Sequence, residues 1–487
     1  MVSGAENDPT QGPAGRGRAP LVEKLFSALV VGVGSRLTSQ VIGFSLVVFA
    51  SRYLDLTEFG IYSLAWAATV IAVSFIFTGF YQSILRSRDL DDEVDTMFWL
   101  MFAVGACGTA TMLIISGFVS PALSGAMRAL SVIPTVVVLV AWNEAQLLAA
   151  GKARSASIHH AVSEVVGIVV VVLTLNAGFG LMGLVLGRLA ATLSGLSLTT
   201  AMVRRRPRLR FGAAASVRAF RTALPLWASA GVGMFANYGS DIILGLFLSP
   251  AAVGAYRGGS RIATTASDIV SQPLQMLNWA KFSRLERGGE LNALRHAWGH
   301  HAAFSAALTW PVLVSVMLLA PQLTDVLFGE KWRAAAPVIS LLAGAKALGM
   351  FQQLLAPTLI SLGRGALQVK VQGVSAALLL VLLLIAGPHG ASAVASAHIV
   401  VNLVMAGVSL WAMTSTLGTP LRKALPAFGP GAVVTLICAG AILGSAQLLT
   451  PITTPGGLTA MIGGLAALWA VTIALMLRAR ILELPTP

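Results

Sequence analysis

The feature that most constrains this chain is the recurrence of apolar runs about twenty residues long, separated by short polar connectors. Bilayer hydrocarbon is about 30 Å thick, and a helix rising about 1.5 Å per residue crosses it in roughly 20 residues. By that measure spans are expected at about 26–50, 61–85, 97–119, 130–150, 158–175, 181–202, 224–248, 251–277, 298–320, 335–360, 371–386, 391–414, 432–449 and 458–477, fourteen in all. Composition excludes a soluble fold. With 56% hydrophobic residues, 11% charged and a mean hydropathy of +0.81, the 487 residues carry more apolar surface than internal cores can bury. The expected class is an all-α polytopic membrane protein.

Lys and Arg orient the spans, because positively charged short loops stay in the cytoplasm. With the N-terminus inside, 24 of the 33 basic residues fall in cytoplasmic segments, including "RRRPRLR" (204–210) between the sixth and seventh spans. Both termini are then cytoplasmic, in the cytoplasmic (inner) membrane. The net charge of +14 is spread over successive loops without interleaved aromatics, so it reads as attachment to an anionic leaflet and not as nucleic-acid binding. Residues 1–24 are polar and rich in Gly and Pro and are expected to form a disordered cytoplasmic tail, and no cleavable signal peptide is evident. Cys107 and Cys438 fall inside expected spans and give neither a disulfide framework nor a metal site.

A charged turn in "YLDLTEFGIYSLA" (53–65) has a counterpart in "FLSPAAVGAYRGG" (247–259): Leu54, Gly60 and Tyr62 match Leu248, Gly254 and Tyr256 at a constant offset of 194. A second pair, "LLAAGKARS" (147–155) and "LISLGRGAL" (359–367), places Gly before a basic residue between the fourth and fifth spans of each block. The repeat predicts an N-lobe of six helices (25–220), a C-lobe of six (221–418) and an extra C-terminal helix pair (419–487). Because six is even, the copies share one orientation, and their pseudo-twofold axis runs along the membrane normal. The plain reading of the turn is structural: Gly allows tight chain passage, Tyr anchors at the interface, and Asp55 and Glu58 mark the water side.

The segments "SRYLDLTEFGIYSLA", "SDIILGLFLSPAAVGAYRGGSRIA" and "LFGEKWRAAAPVISLLA" resemble signature segments of the polysaccharide-exporter (Wzx-like) branch of the multidrug/oligosaccharidyl-lipid/polysaccharide flippase superfamily. The resemblance runs from Leu21 to the end of the chain. It implies a V-shaped, alternating-access flippase, not an enzyme and without a cofactor, that moves polyprenyl-diphosphate-linked oligosaccharides for surface polysaccharide synthesis. Membrane lipids, a polysaccharide polymerase and export machinery are the implied partners. A drug or cation antiporter of the same superfamily is the nearer alternative, expected to have twelve helices and an acidic cavity. A membrane enzyme of polysaccharide assembly is the more distant one. The chain lacks H-E-x-x-H, G-x-S-x-G and Walker A patterns and has no connector large enough for a reacting domain.

Ionisable groups inside spans are costly and face a cavity or a partner. The first helix carries Arg36, Gln40 and Gly43 on one face; the seventh carries Ser229, Gly233, Asn237 and Asp241 at intervals of four; the eighth carries Arg257, Arg261, Asp268, Gln272 and Gln275. Since the first and seventh helices are equivalent in the repeat, their stripes are expected to face each other. One reading is a cavity whose arginines receive a lipid diphosphate, guanidinium being a planar bidentate donor to phosphate. The other is internal neutralisation, Asp241 or Asp268 pairing with Arg257 or Arg261. Arg36 has no acid nearby on its own helix and points to substrate contact. Glu144 and Lys346 lie deep enough for a gating or coupling role, whereas His159 and His160 read as interface residues; Glu164 and His398 are further buried titratable positions.

Overall fold

The computed structural model describes residues 40–86, 91–448 and 454–484; the expected N-terminal tail, the start of the first span and Arg36 lie outside them. Among the described residues the chain is helical throughout: α1 (Gln40–Ser51), α2 (Leu56–Thr78), α3 (Phe80–Arg86), α4 (Asp91–Ser116), α5 (Pro121–Leu130), α6 (Val132–Ala149), α7 (Ala153–Asn176), α8 (Leu181–Met202) and α9 (Ala213–Phe247). There follow α10 (Pro250–Arg287), α11 (Leu291–Leu318), α12 (Ala320–Leu323), α13 (Ala336–Ser361), α14 (Gly365–Ala386), α15 (Ala391–Leu417), α16 (Leu421–Ala424), α17 (Gly429–Leu448) and α18 (Pro455–Arg478).

Among the described residues eleven helical segments are long and apolar enough to cross a membrane, against the fourteen expected. The difference lies in α1, described from Gln40 only, and in α9 and α10, which are long but polar. These two have 35 and 38 residues. At about 1.5 Å per residue they run about 52 and 57 Å, well beyond the hydrocarbon thickness. The arginines at 218, 221, 284 and 287 end the apolar run without ending the helix, because Arg is a good helix former.

The charged turn before α2 is a helix cap. Asp55 Oδ1 accepts the Glu58 N–H at 2.8 Å, and Glu58 Oε2 accepts the Asp55 N–H at 3.2 Å, which satisfies two donors left over at the helix start. Ser249, at the same offset of 194 from Asp55, caps α10 by accepting the Ala252 N–H, with Pro250 at the first helical position. The tyrosines are not interface anchors: Tyr62 and Tyr256 are buried, and each reaches a later helix, Tyr62 to Arg188 on α8 and Tyr256 to His398 on α15.

The two copies of the repeat touch each other. α2 and α10 cross so closely that a Cβ on Gly60 would strike the Pro250 carbonyl, and one on Gly254 would strike the Leu56 carbonyl. Residues 56 and 250, like 60 and 254, differ by 194, so the contact is reciprocal. Trp332, from the segment between α12 and α13, seals this face. It is fully buried, its Nε1–H donates to the Leu54 carbonyl at 3.1 Å, and its ring meets Phe59 and Phe328 at 5.1 and 5.2 Å. Arg52 adds a 2.7 Å bond to the Val326 carbonyl. α17 and α18 pack on α11, where Gly431 lies against Ala306 and Trp469 donates to the Ala307 carbonyl.

Candidate substrate cavity

Beneath the sealed crossing lies a cavity of about 1370 Å³ lined by residues of α1, α2, α7, α8, α9, α10, α13, α14 and α15. Its polar side chains come from α2, α7, α8, α9, α10, α13, α14 and α15, whereas α1 lines it with Ile42, Gly43, Leu46, Val47 and Ala50. Among the described residues four cations stand in its wall: Arg188, Arg257, Arg261 and Lys346.

Two of them are already paired. Arg257 Nη1 lies 3.2 Å from the Asp241 carboxylate, donates to the Asn237 carbonyl at 3.3 Å, and holds its guanidinium 4.4 Å from the Tyr238 ring centre. Asp241 is 0% exposed, so this carboxylate faces the arginine and the protein interior. Arg188 Nη1 lies 3.6 Å from Glu164, its Nε–H donates to the Tyr62 hydroxyl at 3.2 Å, and its guanidinium sits 4.5 Å over Trp66. Glu164 is 54% exposed and itself lines the cavity.

Arg261 and Lys346 differ. Among the described residues neither has a carboxylate within ion-pair distance, and the Arg261 Nε–H is buried with no hydrogen-bond partner. Asp268 acts electrostatically on both, while its Oδ2 accepts from Gln40 Nε2 at 3.1 Å. The Arg261 guanidinium rests on Gly43, where any side chain would displace it.

Among the described residues, the α1 and α9 stripes expected to face each other do not pair directly. Gln40 and Gly43 on α1, and Asn237 and Asp241 on α9, all meet residues of α10. Gln40 goes to Asp268 and Gly43 to Arg261, while Asn237 and Asp241 go to Arg257, so both stripes end on the stripe of α10. Gln272 is half-buried one turn beyond Asp268 and does not line the cavity. Glu144 also stands outside the cavity wall: Tyr81 donates to it at 3.2 Å, and His159 Nε2 lies 3.7 Å from its other oxygen. His159 is buried there and is no interface residue, since the α6–α7 turn folds it back onto Glu144. His160 and His398 line the cavity, His398 bonded to the Ser240 and Tyr256 hydroxyls at 2.9 Å.

Arg188 is the residue sequence reasoning missed. The signal was present as a lone arginine in the apolar stretch that became α8. Its partners Glu164, Tyr62 and Trp66 lie on other helices.

A family profile described as "Polysaccharide biosynthesis protein" matches residues 49–337. The succinoglycan biosynthesis transport protein ExoT of Rhizobium meliloti is 23% identical over 332 residues, 66% of each chain. The probable low-salt glycan biosynthesis flippase Agl15 of Haloferax volcanii is 24% identical over 221 residues, 45% of this chain and 46% of the relative. The chain thus spans just under two thirds of the first relative and less than half of the second. Among solved structures, the lipid II flippase MurJ in an inward closed conformation superposes with a TM-score of 0.72 at 10% identity, covering 91% of this chain and 99% of that one. An inward-facing multidrug resistance MATE family transporter gives a TM-score of 0.61 at 16% identity, covering 78% and 94%. Both share the fold.

Proposed function

Because the chain belongs to the polysaccharide biosynthesis protein family, in the polysaccharide-exporter branch of the multidrug/oligosaccharidyl-lipid/polysaccharide superfamily, we propose that it flips polyprenyl-diphosphate-linked oligosaccharides across the cytoplasmic membrane by alternating access. The observation that carries this reading is the charge arrangement. Arg188 and Arg257 each have a carboxylate of their own, which leaves Arg261 and Lys346 to meet an anion entering the cavity. A diphosphate leaving water needs such donors, and charge-assisted hydrogen bonds offset part of its lost hydration. An antiporter for cationic drugs would need an acidic wall, yet among the described lining residues the one carboxylate, Glu164, stands against four cations.

Two six-helix lobes with an added C-terminal pair fit the reciprocal Gly60–Gly254 contact, since a twofold axis between α2 and α10 exchanges Leu56 with Pro250 and Gly60 with Gly254. α1, α9 and α10 bring the eleven apolar spans to fourteen and leave both termini in the cytoplasm. Cysteine labelling at position 450 and after residue 485 then reports opposite sides, and labelling from one side at both positions refutes the fourteen-span arrangement. The cavity's direct partner is the lipid-linked glycan; the polymerase and export machinery take the product on the far side.

The function is tested by polymer export in cells carrying Arg261→Ala, Arg261→Lys or Lys346→Ala, with membrane levels checked by blotting. Loss of one charge-assisted contact, worth about 1.5–3 kcal/mol, weakens binding about tenfold to a hundredfold. Both alanine variants should reach the membrane and export poorly, with partial recovery in Arg261→Lys. Normal export from both would show that these cations serve only the balance with Asp268.

A further inference from the structure

The cavity wall is chemically divided, and the division assigns different parts of a ligand to different helices. On the α10 and α13 side stand Arg261 and Lys346, cations without a paired carboxylate. On the α2, α7 and α8 side stand Trp66, Tyr62, Arg188 and Glu164, whose charges cancel. We propose that this second wall is the glycan subsite, where an uncharged sugar ring packs on Trp66 and its hydroxyls bond to Glu164 and Arg188. The assignment rests on the substrate reading above and goes further by saying which residues read the sugar.

Three observations carry it. First, the wall disfavours phosphate. Glu164 is half exposed to the cavity, and a phosphate beside it would meet a like charge, while Arg188 is already held by Glu164, Tyr62 and the Trp66 ring. Second, the wall suits hydroxyls. A carboxylate accepts and a guanidinium donates, and a sugar hydroxyl does both, so an open ion pair offers matched partners without demanding net charge. The 3.6 Å separation and the 54% exposure of Glu164 leave its oxygens accessible for such bonds. Third, an aromatic face in the wall gives apolar contact to the C–H face of a pyranose, and Trp66 lies beside the open pair.

The other arginine–aromatic pair lacks these properties. Arg257 covers Tyr238 in much the same way, but its partner Asp241 is 0% exposed and has no oxygen to offer a ligand.

The experiment uses the purified full chain in lipid nanodiscs and two ligands: undecaprenyl diphosphate without sugar, and the lipid-linked oligosaccharide extracted from host cells in which this gene has been deleted. Trp66→Leu and Glu164→Gln should each bind the glycosylated lipid about tenfold more weakly, the loss of one or two good contacts, and neither should bind the bare diphosphate more than about twofold more weakly than the unmodified chain. Arg261→Ala should bind both ligands about tenfold to a hundredfold more weakly. Retained binding of the bare diphosphate also shows that the wall variants are folded. Equal losses for the two ligands, or no loss for either, overturn the glycan subsite. An unmodified chain that binds neither ligand overturns the substrate reading itself.

Discussion

The pairs Arg257–Asp241 and Arg188–Glu164 are built from the same parts, an arginine, a carboxylate and an aromatic ring under the guanidinium, yet their burial gives them different work. In the first the carboxylate is 0% exposed and the arginine 25%; in the second the figures are 54% and 30%. A sealed carboxylate has one solution to its desolvation, its own cation, so the pair fastens α9 to α10. An open carboxylate keeps part of its hydration, gains little from its cation, and retains capacity for a ligand. Residue type alone does not separate a fastening from a binding site.

Breaking the sealed pair should have the larger effect on stability. Asp241→Asn leaves Arg257 buried beside a neutral amide, at a cost of about 3 kcal/mol, the low end for a broken buried pair because Arg257 is partly exposed. The measurement is thermal unfolding of the purified protein in detergent, where a midpoint unchanged from the parent would remove the distinction between the pairs. Glu164→Gln should cost under about 1 kcal/mol in the same assay, since a half-exposed pair contributes little. A destabilisation as large as that of Asp241→Asn would make the second pair a fastening too.

The architecture was legible where a single physical requirement set it. Apolar runs of bilayer length mark helices without reference to anything else in the chain, and Gly60 with Gly254 marked the places where α2 and α10 meet. Helix ends were less legible. Charge stops an apolar run at 224 and 277, but backbone hydrogen bonding carries α9 back to Ala213 and α10 on to Arg287. The stripe on α10 was visible as a helical period, and the choice between substrate contact and neutralisation for Arg257 turned on the approach of Asp241 from α9. Arg188 was hidden for a different reason: its partners Tyr62 and Glu164 come from α2 and α7, and periodicity within one helix carries no information about what stands opposite it. Trp332 belongs to the same class, its Nε1–H ending on a carbonyl 278 positions away.

The crossing of α2 and α10 has a mechanical consequence. Each helix carries a notch, and each notch is filled by the backbone of the other at equivalent places. The two contacts lie one turn apart on each helix, so each backbone packs where the other helix has no side chain. Gly60→Ala and Gly254→Ala therefore pry at the same joint, and neither side chain is accommodated without parting the two backbones.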